Sequence, residues 1–374
     1  MAAASSTSIC QLVRSSCRQW MASRGHAFVK IHDDALAAVA EKIQKQAQVE
    51  WDEEDWHYQP PRDLPFSSSS TRIRNERIAL YILALDMINF CFWPAGDKSY
   101  EYVDLACTLT SMASADHETI KQKSDSTKED ARSSTLSSAM SSYLLSPSRL
   151  REMSADEMTR LFETNHKQGK SPPDMEKRCR LWNELGLVLC RDFEGSAVNL
   201  IESAQGSAVQ LVQVLFDQFE GFRDVATLVD EEGGSPTETV YFLKRAQICV
   251  GDLQAALDDK TNPALSFKDM NQITTFADYR LPQLLRHWHV LEYVDDDLRV
   301  AVDNERELVQ GSAAEISIRS ATVVTVERLV EQLSLANAKQ WTDVQVDWYL
   351  WQVGEKMEGA GELKPHHRVR TVYY

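Results

Sequence analysis

The glycine loops that cradle phosphates are missing from this chain: there is no G-x-x-x-x-G-K-S/T, no G-x-G-x-x-G and no G-x-S-x-G nucleophile elbow. Nucleoside triphosphatase, dinucleotide-enzyme and α/β-hydrolase readings lose their usual signatures. Metal-ligand spacing is missing as well. His287 and His289 stand two apart, His366 and His367 are adjacent, and no H-E-x-x-H or cysteine pair completes a set; neither spacing puts two ligands on one helix face. No metal is expected. No apolar run approaches 18 residues, so no spanning helix is expected. The seven cysteines are odd in number, scattered and without a C-x-x-C, which fits buried free thiols in a reducing compartment. Positive charge is scarce: 40 Lys and Arg face 56 Asp and Glu, a net −16. Long nucleic acids are held by basic surfaces, so this balance argues against them. A single nucleotide needs only one or two cations in a pocket.

What is present is core material, 43% apolar and 9% aromatic among 374 residues, with nine tryptophans. Apolar spacing is helical nearly everywhere. Leu36, Val39, Ala40 and Ile43 mark a helix over 33–46 behind Asp33 and Asp34 as possible caps, and Ser154 with Glu157 forms an S-x-x-E capping box ahead of Met158, Leu161 and Phe162. Further stripes run through Met175–Leu189 and through Val198, Ile201, Ala208, Leu211, Leu215 and Phe219, and others cover about 239–257, 282–294 and 322–338. Period-2 alternation is rare; Lys98–Leu105 is the best candidate for a short hairpin arm. Residues 113–139 read as a polar surface insertion and 228–238 as a turn. The expectation is a mainly α protein with at most a small β-hairpin, one compact domain over 1–374 from which 113–139 hangs.

The first 30 residues carry Arg14, Arg18, Arg24 and Lys30 with no acid before Asp33, the composition of a mitochondrial transit peptide. Against it, Ile9, Leu12, Val13, Cys17, Trp20 and Met21 recur at helical spacing, and such a stripe must bury somewhere. The structural reading is preferred, and with it a cytoplasmic location.

Three segments are dense with residues a merely structural helix does not need: Asp86-Met87-Ile88-Asn89-Phe90-Cys91-Phe92-Trp93, Lys244-Arg245-Ala246-Gln247, and Phe276-Ala277-Asp278-Tyr279-Arg280-Leu281-Pro282-Gln283. A fourth is Asp347-Trp348-Tyr349-Leu350-Trp351. In this order and spacing the chain resembles the queuosine 5'-phosphate N-glycosylases, or queuosine salvage proteins, from about residue 20 to its end apart from 113–139. One segment alone would be weak; together they are specific. The resemblance implies an all-α fold related in shape to DNA glycosylases. It also implies hydrolysis of the bond between ribose 5'-phosphate and a 7-deazaguanine base, releasing queuine for return to tRNA. No cofactor or metal is implied by it; the charge balance and the lack of a long apolar run add the expectation of no direct nucleic-acid contact and no membrane.

Breaking an N-glycosidic bond passes through an oxocarbenium-like state, which a nearby carboxylate can steady while positioning or deprotonating water. Asp278 fits that work; otherwise it caps a helix or partners Arg280. Phe276 either stacks on the flat base or packs in the core. Asp347 offers two acceptors to the guanine-like N–H pair, with Trp348 beside it. The family pattern has Tyr where this chain has Trp348 and Asp where it has Gln352. An acid there would meet the secondary ammonium of queuine, and Gln352 brings no charge. His57 matches a family histidine near the ligand. Lys244 is the candidate for the 5'-phosphate, with Arg245 and Arg280 as alternatives, while Arg368 and Arg370 read as partners of surface acids. Asp86 and Asn89, one helical turn apart, read as supports of the pocket rather than contacts. The competing class is a non-catalytic helical scaffold or tRNA-associated binding protein, which an exposed, unconfined Asp278 would favour. A nucleosidase or base-excision glycosylase with another substrate is the second alternative.

Overall fold

The stripe Ile9, Val13, Cys17 and Trp20 folds as a helix and buries on one face, as spacing of three and four requires. In the computed structural model the described residues are 7–46, 71–93, 100–113, 143–229, 236–257, 262–336 and 340–374. Helices α1 (Ile9–Ser23), α2 (Asp33–Gln46) and α3 (Thr71–Met87) are followed by α4 (102–113), α5 (Pro147–Glu152), α6 (Ala155–Asn165) and α7 (Met175–Asp192). Next come α8 (Ala197–Glu202), α9 (Ala208–Gln218), α10 (Lys244–Leu257), α11 (Arg280–His287) and α12 (Asp296–Asp303). Two long helices, α13 (Ala313–Ala336) and α14 (Asp343–Gly359), complete the order. Among the described residues, strands pair only in twos. The antiparallel pairs are β1 (Val29–Ile31) with β4 (Leu291–Tyr293) and β2 (Val225–Val229) with β3 (Pro236–Tyr241). The parallel pair is β5 (Glu307–Leu308) with β6 (Arg368–Val369). The protein is mainly α, as its periodicity requires.

Contacts group the chain into two units, one within Met1–Glu54, Arg223–Gln247 and Asp269–Tyr374, the other within Asp55–Phe222 and Ile248–Lys268. The first is organised around α13, which is buried along most of its length, hydroxyls and charges included. A helix buried on all sides has no clean amphipathic stripe. Leu36, Val39 and Ile43 of α2, Leu281, Leu284 and Leu285 of α11, and Val346 and Leu350 of α14 share one apolar core with Ile318, Val326 and Leu329 of α13. Arg14 and Arg18 of α1 reach Glu327 at 2.9 and 2.8 Å, and Arg14 also reaches Asp343 at 2.5 Å. Arg14 and Arg18 of the N-terminal segment therefore have structural partners.

The second unit is built on α3, buried from Asn75 to Met87. Trp182 of α7 donates its indole N–H to the Ala84 carbonyl at 2.9 Å, so its polar edge is satisfied inside the core. The buried Glu76 carboxylate accepts the Ala197 and Val198 N–H groups at the start of α8, which capping logic favours. Helices α5 and α7 approach so closely at Gly186 that a Cβ there would stand 2.4 Å from both Arg151 N and Pro147 O. Backbone cannot yield as a side-chain tip does. Gly186→Ala is therefore expected to cost about 1–3 kcal/mol. Gly359→Ala, whose Cβ would meet nothing within 4 Å, should be neutral or better. Equal urea midpoints for the two variants would contradict this packing.

Several sequence expectations change in the fold. Lys98–Leu105 does not yield a hairpin arm in its described part: residues 102–113 are helical, with Leu105, Leu109 and Met112 buried. The short alternation masked an i, i+4 stripe. The stripe from Val198 to Phe219 is broken into α8 and α9 by Gln205 and Gly206, both at positive φ, and each half has its own serine cap, Ser196 and Ser207. The helix expected over 282–294 stops at His287; His289 has φ 59° and the chain continues as β4. The helix expected from 239 starts at Lys244 instead, because Thr239–Tyr241 belong to β3. The turn at 228–238 joins two strands, although 230–235 lie outside the described residues. Ser154 caps α6 through the Glu157 N–H, but the Glu157 carboxylate pairs with Arg149 rather than closing a box; the reciprocal box is at Thr342 and Gln345. Most of the polar segment 113–139 also lies outside the described residues.

Candidate active site

The segment 273–279 is neither helix nor strand and ends where α11 begins. Asp278 stands just before that helix, and its Oδ1 accepts the N–H groups of Arg280 at 2.8 Å and Leu281 at 3.4 Å. Those are two of the donors a helix start leaves without a partner. The cap holds the half-buried carboxylate in one orientation and leaves Oδ2 without a hydrogen bond among the described residues. The expectation that Asp278 caps a helix is thus met through one of its oxygens. Pro282 sits in the first turn of α11, where its missing N–H costs nothing.

Asp347 comes to the same place from α14. It is 2% exposed, and its Oδ2 accepts the Thr275 hydroxyl and, at 2.7 Å, the Phe276 N–H. Burial pushes this carboxyl up to about 8; the negative charge of Asp278 adds to the rise, and the Thr275 and Phe276 hydrogen bonds and the Lys244 ammonium oppose it. Asp347 therefore feels the charges of both Asp278 and Lys244, although the three come from separate segments. Lys244, 5% exposed, opens α10 with its backbone N–H on Asp224 Oδ2 at 3.1 Å.

Phe276 is buried through its ring and contributes its N–H to Asp347. Trp348 is buried and stacks on Trp351 with ring centres 5.3 Å apart and an 11° tilt. Gln352 follows one turn later on α14, half-buried. His57 lies outside the described residues. Arg280 is occupied: Glu355 at 2.6 Å, Glu358 at 3.3 Å and Gln283 at 2.6 Å surround its guanidinium. Arg368 and Arg370 pair with Glu305 at 2.9 Å and Glu307 at 3.2 Å, as their sequence context suggests. Asp86 and Asn89, in the second unit, are buried and joined at 3.4 Å.

Sequence reasoning missed Thr275, whose hydroxyl holds Asp347, and Arg319, buried in α13. A signal for the second existed. Arg319 interrupts Ile316-Ser317-Ile318 and Ala321-Thr322-Val323, and a charge inside so apolar a helix needs a buried partner.

A separate groove of about 1050 Å³ is lined by His32, Arg286, His287, His289, Arg299 and Lys364, among others. None of Asp278, Phe276, Asp347, Trp348, Gln352 and Lys244 is among its lining residues. Arg286 and Arg299 are already paired with Asp303 and Asp296. The chemistry points instead to Asp278. Among the described residues no group of three or more His, Cys, Asp or Glu is gathered to hold a metal ion.

The raised pKa of Asp347 carries its own test. A buried carboxyl that holds its proton more tightly than an unfolded one, near 3.9, makes the native state bind more protons between about pH 4 and 8. Its contribution to stability therefore falls as pH rises through that window. Asp347→Asn keeps an acceptor for Thr275 and Phe276 but cannot titrate. The Tm advantage of the unmodified protein over this variant should shrink steadily from pH 5 to 8; a constant difference would mean that Asp347 titrates as an ordinary carboxylate.

Fold and site define a mainly helical protein in which an oriented carboxylate and a lysine both bear on a second, buried carboxyl, the three drawn from distant segments. The chain belongs to the queuosine salvage protein family, whose model matches residues 69–374. It is 32% identical over 353 residues to a queuosine 5'-phosphate N-glycosylase/hydrolase of Dictyostelium discoideum, covering 92% of this chain and 94% of that one. A protein of the same name from Sphaerobacter thermophilus is 34% identical over 348 residues, with 92% and 93% covered. One from Mus musculus is 35% identical over 208 residues, 54% of this chain and 59% of its own.

Proposed function

We propose that this protein hydrolyses the N-glycosidic bond of queuosine 5'-phosphate and releases queuine for salvage into tRNA. The observation that carries the reading is the hydrogen bond from the Phe276 N–H to Asp347, 71 residues apart. It joins two of the segments that mark the family and places Asp278 beside them.

In this reading Asp278 Oδ2 faces C1′ of the ribose and steadies the positive charge that develops there. The C1′–N bond breaks with its electron pair going to the base, water oxygen joins C1′, and one proton of the water ends on the departing queuine. Asp278 receives that proton first. Asp347 meets the guanine-like N–H edge of the base. Burial raises the pKa of this carboxyl in the empty site, and two N–H donors from the base would favour its ionised form. Phe276 and Trp348 supply the flat walls, Lys244 receives the 5'-phosphate, and His57 completes the ligand shell. Gln352 offers queuine's cyclopentenediol arm an amide in place of a charge. No cofactor or metal takes part, and the substrate is a free nucleotide rather than a nucleic acid. No helix among the described residues is long and apolar enough to cross a membrane. The seven free cysteines fit a reducing compartment, and the reaction is assigned to the cytoplasm.

The test is incubation of the purified protein with queuosine, queuosine 5'-phosphate and guanosine 5'-phosphate, followed by mass spectrometry for free base. Queuine should appear from the 5'-phosphate well ahead of the others. No base from any of the three would return the protein to the scaffold class.

A further inference from the structure

Arg319 is 2% exposed and lies in the second turn of α13. Its guanidinium sends Nη1 to Asp224 Oδ1 at 2.9 Å, Nη2 to Asp224 Oδ2 at 2.6 Å and Nε to the Ala277 carbonyl at 2.9 Å. Its faces are covered by the rings of Phe242 and Tyr374, 4.0 and 4.2 Å from Cζ. Tyr374 is held in turn by its hydroxyl on Glu315 at 3.0 Å. A planar, five-donor fork held in this way has one orientation.

The two groups at the ends of that fork belong to the two halves of the candidate site. Ala277 lies between Phe276 and Asp278. Asp224 gathers the turn before Lys244: its carbonyl accepts the Phe242 and Leu243 N–H groups at 3.0 and 3.1 Å, and its Oδ2 accepts the Lys244 N–H at 3.1 Å. Leu243 in that turn has φ 56°, a left-handed conformation that costs a branched residue free energy and persists where surroundings over-determine it. A buried ion pair adds little net stability compared with apolar packing of the same volume. Stability alone is therefore a poor reason to place one here, and two anchored segments are a better one.

We infer that Arg319 is a positioning residue that sets the separation between the Lys244 ammonium and the Asp278 carboxylate. It thereby sets where the 5'-phosphate must lie when the glycosidic bond faces Asp278. This rests on the hydrolysis reading above. In a nucleotide the span from phosphate to C1′ is bounded by the sugar, so a shift of about 1 Å between its two anchors costs on the order of 100-fold in rate. Queuosine without its phosphate is held from one end only and tolerates the shift.

The experiment compares kcat and KM for queuosine 5'-phosphate and queuosine in the full chain, in Arg319→Lys and in Asp224→Asn. Lysine keeps the charge and loses the fork; asparagine keeps the shape and loses half of the bidentate pair. In both variants the preference for the phosphorylated substrate, as a ratio of kcat/KM, is expected to fall about tenfold or more. Most of the fall should appear in kcat for that substrate. Loss of both substrates by the same factor, an unchanged ratio, or failure of both variants to fold assigns Arg319 a structural role and overturns the inference. A wild-type protein that releases no queuine overturns the hydrolysis reading and this inference with it.

Discussion

Asp278→Asn is expected to fold normally and to lose about 10²–10³ in kcat, with KM for queuosine 5'-phosphate changed far less. Asparagine retains an oxygen for the Arg280 and Leu281 N–H groups, so the start of α11 keeps its cap. What disappears is the negative charge that grows in value as positive charge develops at C1′. An interaction made only in the transition state lowers kcat and kcat/KM together. Single-turnover release of base measures this directly. Near-normal turnover with an intact Tm would remove Asp278 from the chemistry and leave it as a cap.

The second large effect concerns phosphate recognition. Lys244 is nearly buried, and its ammonium lies within reach of the field of Asp347. In a protein of net charge −16, a phosphate dianion is repelled unless a local cation overrides the global field. Lys244→Met keeps the alkyl stem and the backbone N–H on Asp224 and deletes the charge. A charge-assisted hydrogen bond contributes about 1.5–3 kcal/mol. The variant should therefore lose roughly 10- to 150-fold in kcat/KM for the 5'-phosphate and little for queuosine, which erases the preference between them. The same variant should raise the Asp347 pKa further, because the ammonium opposes that rise in the native site. Equal, small losses for both substrates would transfer the phosphate to Arg245 or Arg280.

The two lysine-side variants separate direct from indirect action. Lys244→Met removes the cation that meets the phosphate, whereas Arg319→Lys leaves that cation in place and loosens its distance from Asp278. The first should raise KM for the phosphorylated substrate; the second should mainly lower kcat.

The sequence by itself determined the helical class, because spacing of three and four between apolar residues is a local property of each segment. It also determined the family and the candidates Asp278, Asp347 and Lys244, since they stand in short dense motifs. It misjudged places where a local conformation overrides the pattern. At Gln205, Gly206 and His289 a positive φ ends a helix that the apolar spacing would have continued. Only the tertiary structure decided which charges meet. Thr275 and Asp347 are 72 residues apart, and Arg319 lies 42 residues from Ala277 and 95 from Asp224. Burial of a charge and the partner that makes it tolerable are properties of packing between distant segments, and no period along the chain encodes them.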